Sequence, residues 1–129
     1  MAGEKIFNPW FDVPARSALI ISVTGTTKDQ FVLATLDGVV TTSTGAIEKK
    51  ITGILNTATG DEEDIPLKAS RLYVVDVDLT FITDATAVVE ARVEQSDGTV
   101  FGKKFKTTLA RKKGSVEAVT LFVSVLPGE

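Results

Sequence analysis

The side chains of this chain best suited by type and spacing to do chemistry are carboxylates. Asp76 and Asp78 form an Asp-x-Asp pair, and on a β-strand residues two apart leave from the same face. Two carboxylates side by side could hold a divalent cation or act as an acid/base pair. A calcium site needs further oxygen ligands from a nearby turn, and glycosidase carboxylates face one another across a cleft. An outward pair on one strand meets neither requirement, so the stronger reading is a solvated face whose acids pair with lysines of an adjacent strand. A second cluster, Asp61, Glu62, Glu63 and Asp64, falls in the longest polar loop, 56–64. It lacks the spaced ligands and internal glycine of a calcium loop. A charge run in a polar loop is usually solvated; the alternative is that it faces the basic run Arg111, Lys112 and Lys113, within one chain or between copies, which would help set the register of an assembly.

Cations supply the sharpest local bias. Residues 92–113 carry Arg92, Lys103, Lys104, Lys106, Arg111, Lys112 and Lys113 against only Glu94 and Asp97, with Phe101 and Phe105 between them. Sheets that combine cations with aromatics bind single-stranded nucleic acid. Against that, Phe101 and Phe105 have the parity of core residues, paired lysines on a strand guard a sheet edge, and the rest of the chain is acidic. Nucleic acid is therefore the third of three readings.

Composition removes most catalytic chemistry. The 129 residues include no cysteine and no histidine, which excludes thiolate nucleophiles, thiolate metal sites, disulfides and the Ser-His-Asp and Cys-His arrangements. No Walker loop or Gly-x-Gly-x-x-Gly motif is present. No catalytic, metal-binding or cofactor-binding residue is assigned, and the expectation is that the protein is not an enzyme. A formal net charge of −3 gives no general attraction to nucleic acid or anionic membranes. The first residues lack the pattern of a signal peptide, and no apolar run reaches membrane-spanning length.

The elements that carry these side chains are strands. Residues 72–82 put Tyr73, Val75, Val77, Leu79 and Phe81 on one face and Asp76, Asp78 and Thr80 on the other, the period-two pattern of a half-buried strand. Ala87, Val89, Ala91 and Val93 repeat it, as do Val119, Leu121, Val123 and Val125. Earlier strands are expected at 18–24, 30–36, 39–43 and 46–55, with turns at 25–29, at Asp37-Gly38 and at Thr44-Gly45; Asp97-Gly98 marks a later hairpin. Between Phe101 and Phe105, Lys103 has core parity, and a bulge at Gly102 would turn it outward. Phe122, with Tyr73 and Phe81, is taken as core-bound. Residues 1–15 hold two prolines and the only tryptophan and read as an extended arm, with Trp10 and Phe11 either capping the protein's own core or docking on a neighbouring subunit. The expected architecture is all-β: an antiparallel β-sandwich, or its jelly-roll variant, formed by residues 16–129 behind that arm.

The segment from Ile65 to Gly114 also resembles a known group. The run from Ile65 to Val77, the strand containing Ala91-Arg92, the turn Ser96-Asp97-Gly98, and then Phe105 to Thr108 and Arg111 to Gly114 are similar to the β-domains of tailed-bacteriophage virion proteins such as tail fibres and tailspikes. The resemblance implies a structural or receptor-binding protein of a viral particle, made in the host cytoplasm, which as a small protein would decorate a capsid or form a fibre knob or adaptor. It implies a homo-oligomer, a trimer by preference, in contact with other virion proteins or a host-surface glycan and without membrane insertion. The second reading is a carbohydrate-binding module, which would have to work through Trp10 or Phe11.

Overall fold

The structure, a computed structural model, describes residues 4–25, 32–55, 57 and 62–127. Among them are nine strands: β1 (Glu4–Val13), β2 (Ala18–Gly25), β3 (Val32–Thr42), β4 (Ile47–Leu55), β5 (Glu62–Pro66), β6 (Arg71–Phe81), β7 (Ala85–Glu94), β8 (Val100–Arg111) and β9 (Val116–Val125). They form a five-stranded sheet, β1-β9-β6-β3-β4, packed on a four-stranded sheet, β5-β2-β7-β8. The protein is an all-β sandwich, as the alternation implies. Every pairing is antiparallel except that of β1 with β9, which is parallel. Nothing in this order singles out the jelly-roll variant. The expected turn at 25–29 falls largely outside the described residues.

Period-two burial builds the core. Tyr73, Val75, Val77, Leu79 and Phe81 of β6 meet Leu19, Ile21 and Val23 of β2 and Ala87, Val89, Ala91 and Val93 of β7 between the sheets. Near the start of β6 the Tyr73 hydroxyl accepts from the Lys68 amide (2.7 Å) and donates to the Pro66 carbonyl (3.3 Å). Such a tie to the backbone just upstream is the arrangement of a tyrosine corner; burial raises the pKa of this phenol.

The segment expected as an arm is an edge strand of the larger sheet. Trp10 pairs with Val123 and Val13 with Val125, with a register shift between them. Asp12 takes up the extra residue in a left-handed conformation (φ 55°), which aspartate tolerates better than most side chains. Trp10 and Val13 therefore both face inward and are fully buried, while Phe11 stays 57% exposed. The tryptophan fills its own chain's core and is not free to dock on a neighbour.

Asp37-Gly38 is not a turn. β3 runs straight through it, and the hairpin to β4 is made by residues 42–46, where Gly45 has φ +89°. Gly38 is there for proximity: a Cβ would stand 2.6 Å from the Val74 carbonyl oxygen and 3.1 Å from the Val75 Cα, both backbone atoms of β6. Gly38→Ala is expected to push β3 off β6 and cost about 1–3 kcal/mol, read as a lower urea midpoint at unchanged m-value. A variant as stable as the parent would refute the close approach.

Candidate interaction surface

The two outer faces differ in kind. On the four-stranded sheet, the central charges are paired. Arg92 on β7 donates to both oxygens of Glu62 on β5, at 2.7 and 3.4 Å, and to Glu94 at 3.3 Å. Lys106 lies 3.6 Å from Glu90. The Arg92 guanidinium is the main cause holding the Glu62 carboxyl below its usual range. The acids expected in a loop, Glu62, Glu63 and Asp64, thus lie on β5, joined by register to Ser22, Ile21 and Ile20 of β2 respectively; Asp61 falls outside the described residues. Among the described residues the expected match between this cluster and residues 111–113 is not formed within the chain. Glu62 is taken by Arg92, Arg111 pairs with the buried Glu117, and Lys112 lies 3.7 Å from Asp84. Asp84 also accepts the Lys113 amide at 2.8 Å, and that bond is the first cause lowering its pKa.

Of the basic surface read from residues 92–106, Arg92 and Lys106 are therefore engaged with carboxylates. Lys103 and Lys104 are exposed and make no ion pair among the described residues. The bulge foreseen at Gly102 is present: β8 pairs Phe105 with Ala91 and Phe101 with Val93, leaving residues 102–104 opposite Arg92, and Gly102 has φ +69°. The indole N–H of Trp10 donates to the Lys103 carbonyl at 3.2 Å, so the lysine pair stands on backbone anchored to the core. Phe101 and Phe105 are half-buried against that core, not presented as stacking platforms.

The outer face of the five-stranded sheet is apolar around an acidic centre. By register, one row across it reads Lys50, Val39, Val74, Phe122 and the next reads Ile47, Thr41, Leu72, Ser124. Ile47 belongs to this face because of the β4 irregularity beside Val40 and is 64% exposed; Ile54, on the same face, is 75% exposed, and Leu33, Leu72 and Val116 are exposed too. Phe122, taken as core from the sequence, lies here because it alternates with the buried Leu121 and Val123. Aspartates occupy the centre. Asp37 stands directly across from Asp76, and Asp78 is the next outward residue on β6. Thr120 Oγ1 donates to Asp76 at 2.6 Å, but among the described residues no ion pair reaches any of the three. Burial first, then the charges of Asp76 and Asp37, raises the pKa of Asp78.

A raised carboxyl pKa means the folded state binds protons more readily than the unfolded one. Ionised Asp78 therefore lowers stability as pH rises through its folded pKa, and that cost is absent below the unfolded value. Asp78→Asn is expected to stabilise the protein at neutral pH by roughly 0.2–1 kcal/mol, the scale of unfavourable like-charge neighbours on a sheet, with the gain fading in strong acid. Thermal melts at the two pH values test this; equal gain at both would remove the electrostatic cause.

At one end of this face a groove of 410 Å3 is lined by Thr41, Thr42, Ser43, Ser70, Arg71 and Leu72 among others. Arg71 is held by Glu48 at 2.9 Å. Among the described residues no cluster of three or more carboxylates is arranged to hold a metal ion, and no helix is long and apolar enough to cross a membrane. Comparison with known protein families, with curated proteins and with solved structures finds no match.

Proposed function

We propose that this protein is a non-enzymatic structural or adhesive component of a viral particle, a capsid decoration, fibre knob or adaptor, that works as a homo-oligomer. The observation that carries the reading is the outer face of the five-stranded sheet, where Ile47, Ile54, Leu33, Leu72 and Val116 are exposed together beside Val39, Val74 and Phe122. Exposed apolar residues grouped on one face mark contact surfaces, whereas scattered ones need no explanation. The salt-bridged opposite face supports the same division, one side made for water and one for a partner. The likeness of Ile65–Gly114 to phage virion β-domains supplies the particle. Light scattering after gel filtration tests the central claim: an oligomer is expected, and a monomer at every concentration would overturn it.

A second reading, glycan binding, draws on the groove at the end of that face. Its hydroxyl-rich walls, with Arg71 beside exposed Leu72, suit a polyhydroxylated ligand better than Trp10, which is buried. Chemical-shift changes confined to Thr41–Ser43 and Ser70–Leu72 on adding oligosaccharides would support it; none with any sugar tested would remove it.

A further inference from the structure

We propose that the outer face of the five-stranded sheet receives the β8 edge of a second copy of this chain, so that Asp37, Asp76 and Asp78 of one copy meet Lys103 and Lys104 of the next. This rests on the oligomeric reading above and adds which two surfaces meet.

Charge pairing within the chain leaves these groups over. Arg71, Arg92, Arg111, Lys106 and Lys112 each have a carboxylate partner. Among the described residues the three aspartates have no cationic partner, although Asp37 and Asp76 face each other directly, a juxtaposition that destabilises a sheet by itself. The cation placed nearest by register on their own face, Lys50, sits one row away opposite Val39 and makes no ion pair among the described residues. On the other side of the molecule, Lys103 and Lys104 are exposed on an edge strand; Lys104 acts only as a minor coulombic influence on Glu62. The Trp10 bond to the Lys103 carbonyl and the left-handed Gly102 hold the bulge in place, so little backbone order has to be gained on contact.

Size and symmetry agree. Five strands about 4.8 Å apart and roughly ten residues long at about 3.3 Å each present a face of roughly 800 Å2, close to the ~800 Å2 that each partner contributes to a stable interface. The apolar rows on either side of the aspartates give that contact a dry surround. Two copies cannot use this face symmetrically, because a two-fold axis through its centre would set aspartates against aspartates. The occupant has to be basic, and the contact is therefore head to tail, the kind that closes into a ring or propagates.

Light scattering on the full chain and on two charge-reversed variants tests this. The wild type is expected to be oligomeric, and less so at high salt, because the contact contains exposed ion pairs. Lys103→Glu with Lys104→Glu, and separately Asp76→Lys with Asp78→Lys, are each expected to run as monomers with the β-sheet circular dichroism of the parent. Mixing the two variants is expected to restore association, since each then offers the surface the other lacks. The lysine variant keeps the test decisive if the aspartate variant fails to fold, because both its positions are exposed. A wild-type oligomer unaffected by the lysine reversal would overturn this pairing of surfaces and leave the oligomeric reading intact. A monomeric wild type would overturn both.

Discussion

Trp10→Ala is expected to cost about 3–5 kcal/mol, the range for truncating a large buried aromatic, out of the roughly 5–15 kcal/mol that holds a domain of this kind together. The indole is fully buried, on a strand of one sheet, and donates its N–H to the Lys103 carbonyl in the other. Alanine would thus leave a cavity and an unpaired bulge carbonyl at the same point. Trp10→Phe keeps most of the volume and loses only the donor, so its cost should fall well below that of alanine. Phe11→Ala, one residue on and mostly exposed, should stay within about 0.5 kcal/mol of the parent. Urea unfolding followed by tryptophan-independent circular dichroism measures all three. A loss under about 1 kcal/mol for Trp10→Ala would mean that β1 adds little to the core and that the segment behaves as a separable arm.

The same residues show where sequence reasoning succeeds. Strong alternation located β6, β7 and β9 and the inward set of each, because parity is set by the strand itself whatever its neighbours are. Asp37-Gly38 and Asp97-Gly98 show its limit: one dipeptide, two outcomes. The second is a turn, with Gly98 at φ +87°. The first lies mid-strand, where β3 and β6 come too close for a side chain. A signal was present, since Val32, Ala34, Leu36 and Val40 keep one parity straight through Gly38, and that periodicity outranks the local turn preference. Parity would also have placed Phe122 outside, between Leu121 and Val123. What the sequence could not supply was the grouping of outward residues into faces. Asp37 belongs with Asp76, and Ile54 with Phe122, only because β3 lies between β4 and β6 and β9 lies beyond them, an order set by long-range pairing. For the same reason the pairing of Arg92 with Glu62 was unreadable, since it joins β7 to β5 across β2; Arg111 and Glu117 are close in sequence but lie in different sheets.

Arg111→Met is the other substitution expected to have a large effect, and its cause lies on β9. Glu117 occupies the inward row that continues through Val119, Leu121 and Val123, and it is only 4% exposed. Arg111, at the end of β8 in the opposite sheet, is its ionic partner, while Glu117 Oε2 has no hydrogen-bond partner among the described residues. Removing the guanidinium leaves a buried carboxylate uncompensated, which costs about 3–5 kcal/mol where both partners are deep. The Arg111 side chain is 37% exposed, so the lower end, about 3 kcal/mol, is expected here. Adding Glu117→Leu should recover most of that loss, because an apolar residue at an inward position needs no partner and a buried ion pair is often no better than the hydrophobic contact that replaces it. Thermal or urea unfolding of both variants decides the matter. If the double variant is no more stable than Arg111→Met alone, the cost lies in lost packing of the arginine stem and not in a stranded charge. If recovery is seen, the first cation of the run 111–113 closes one end of the sandwich, and a charge-based contact between copies has to be built from the lysines that the fold leaves unpaired.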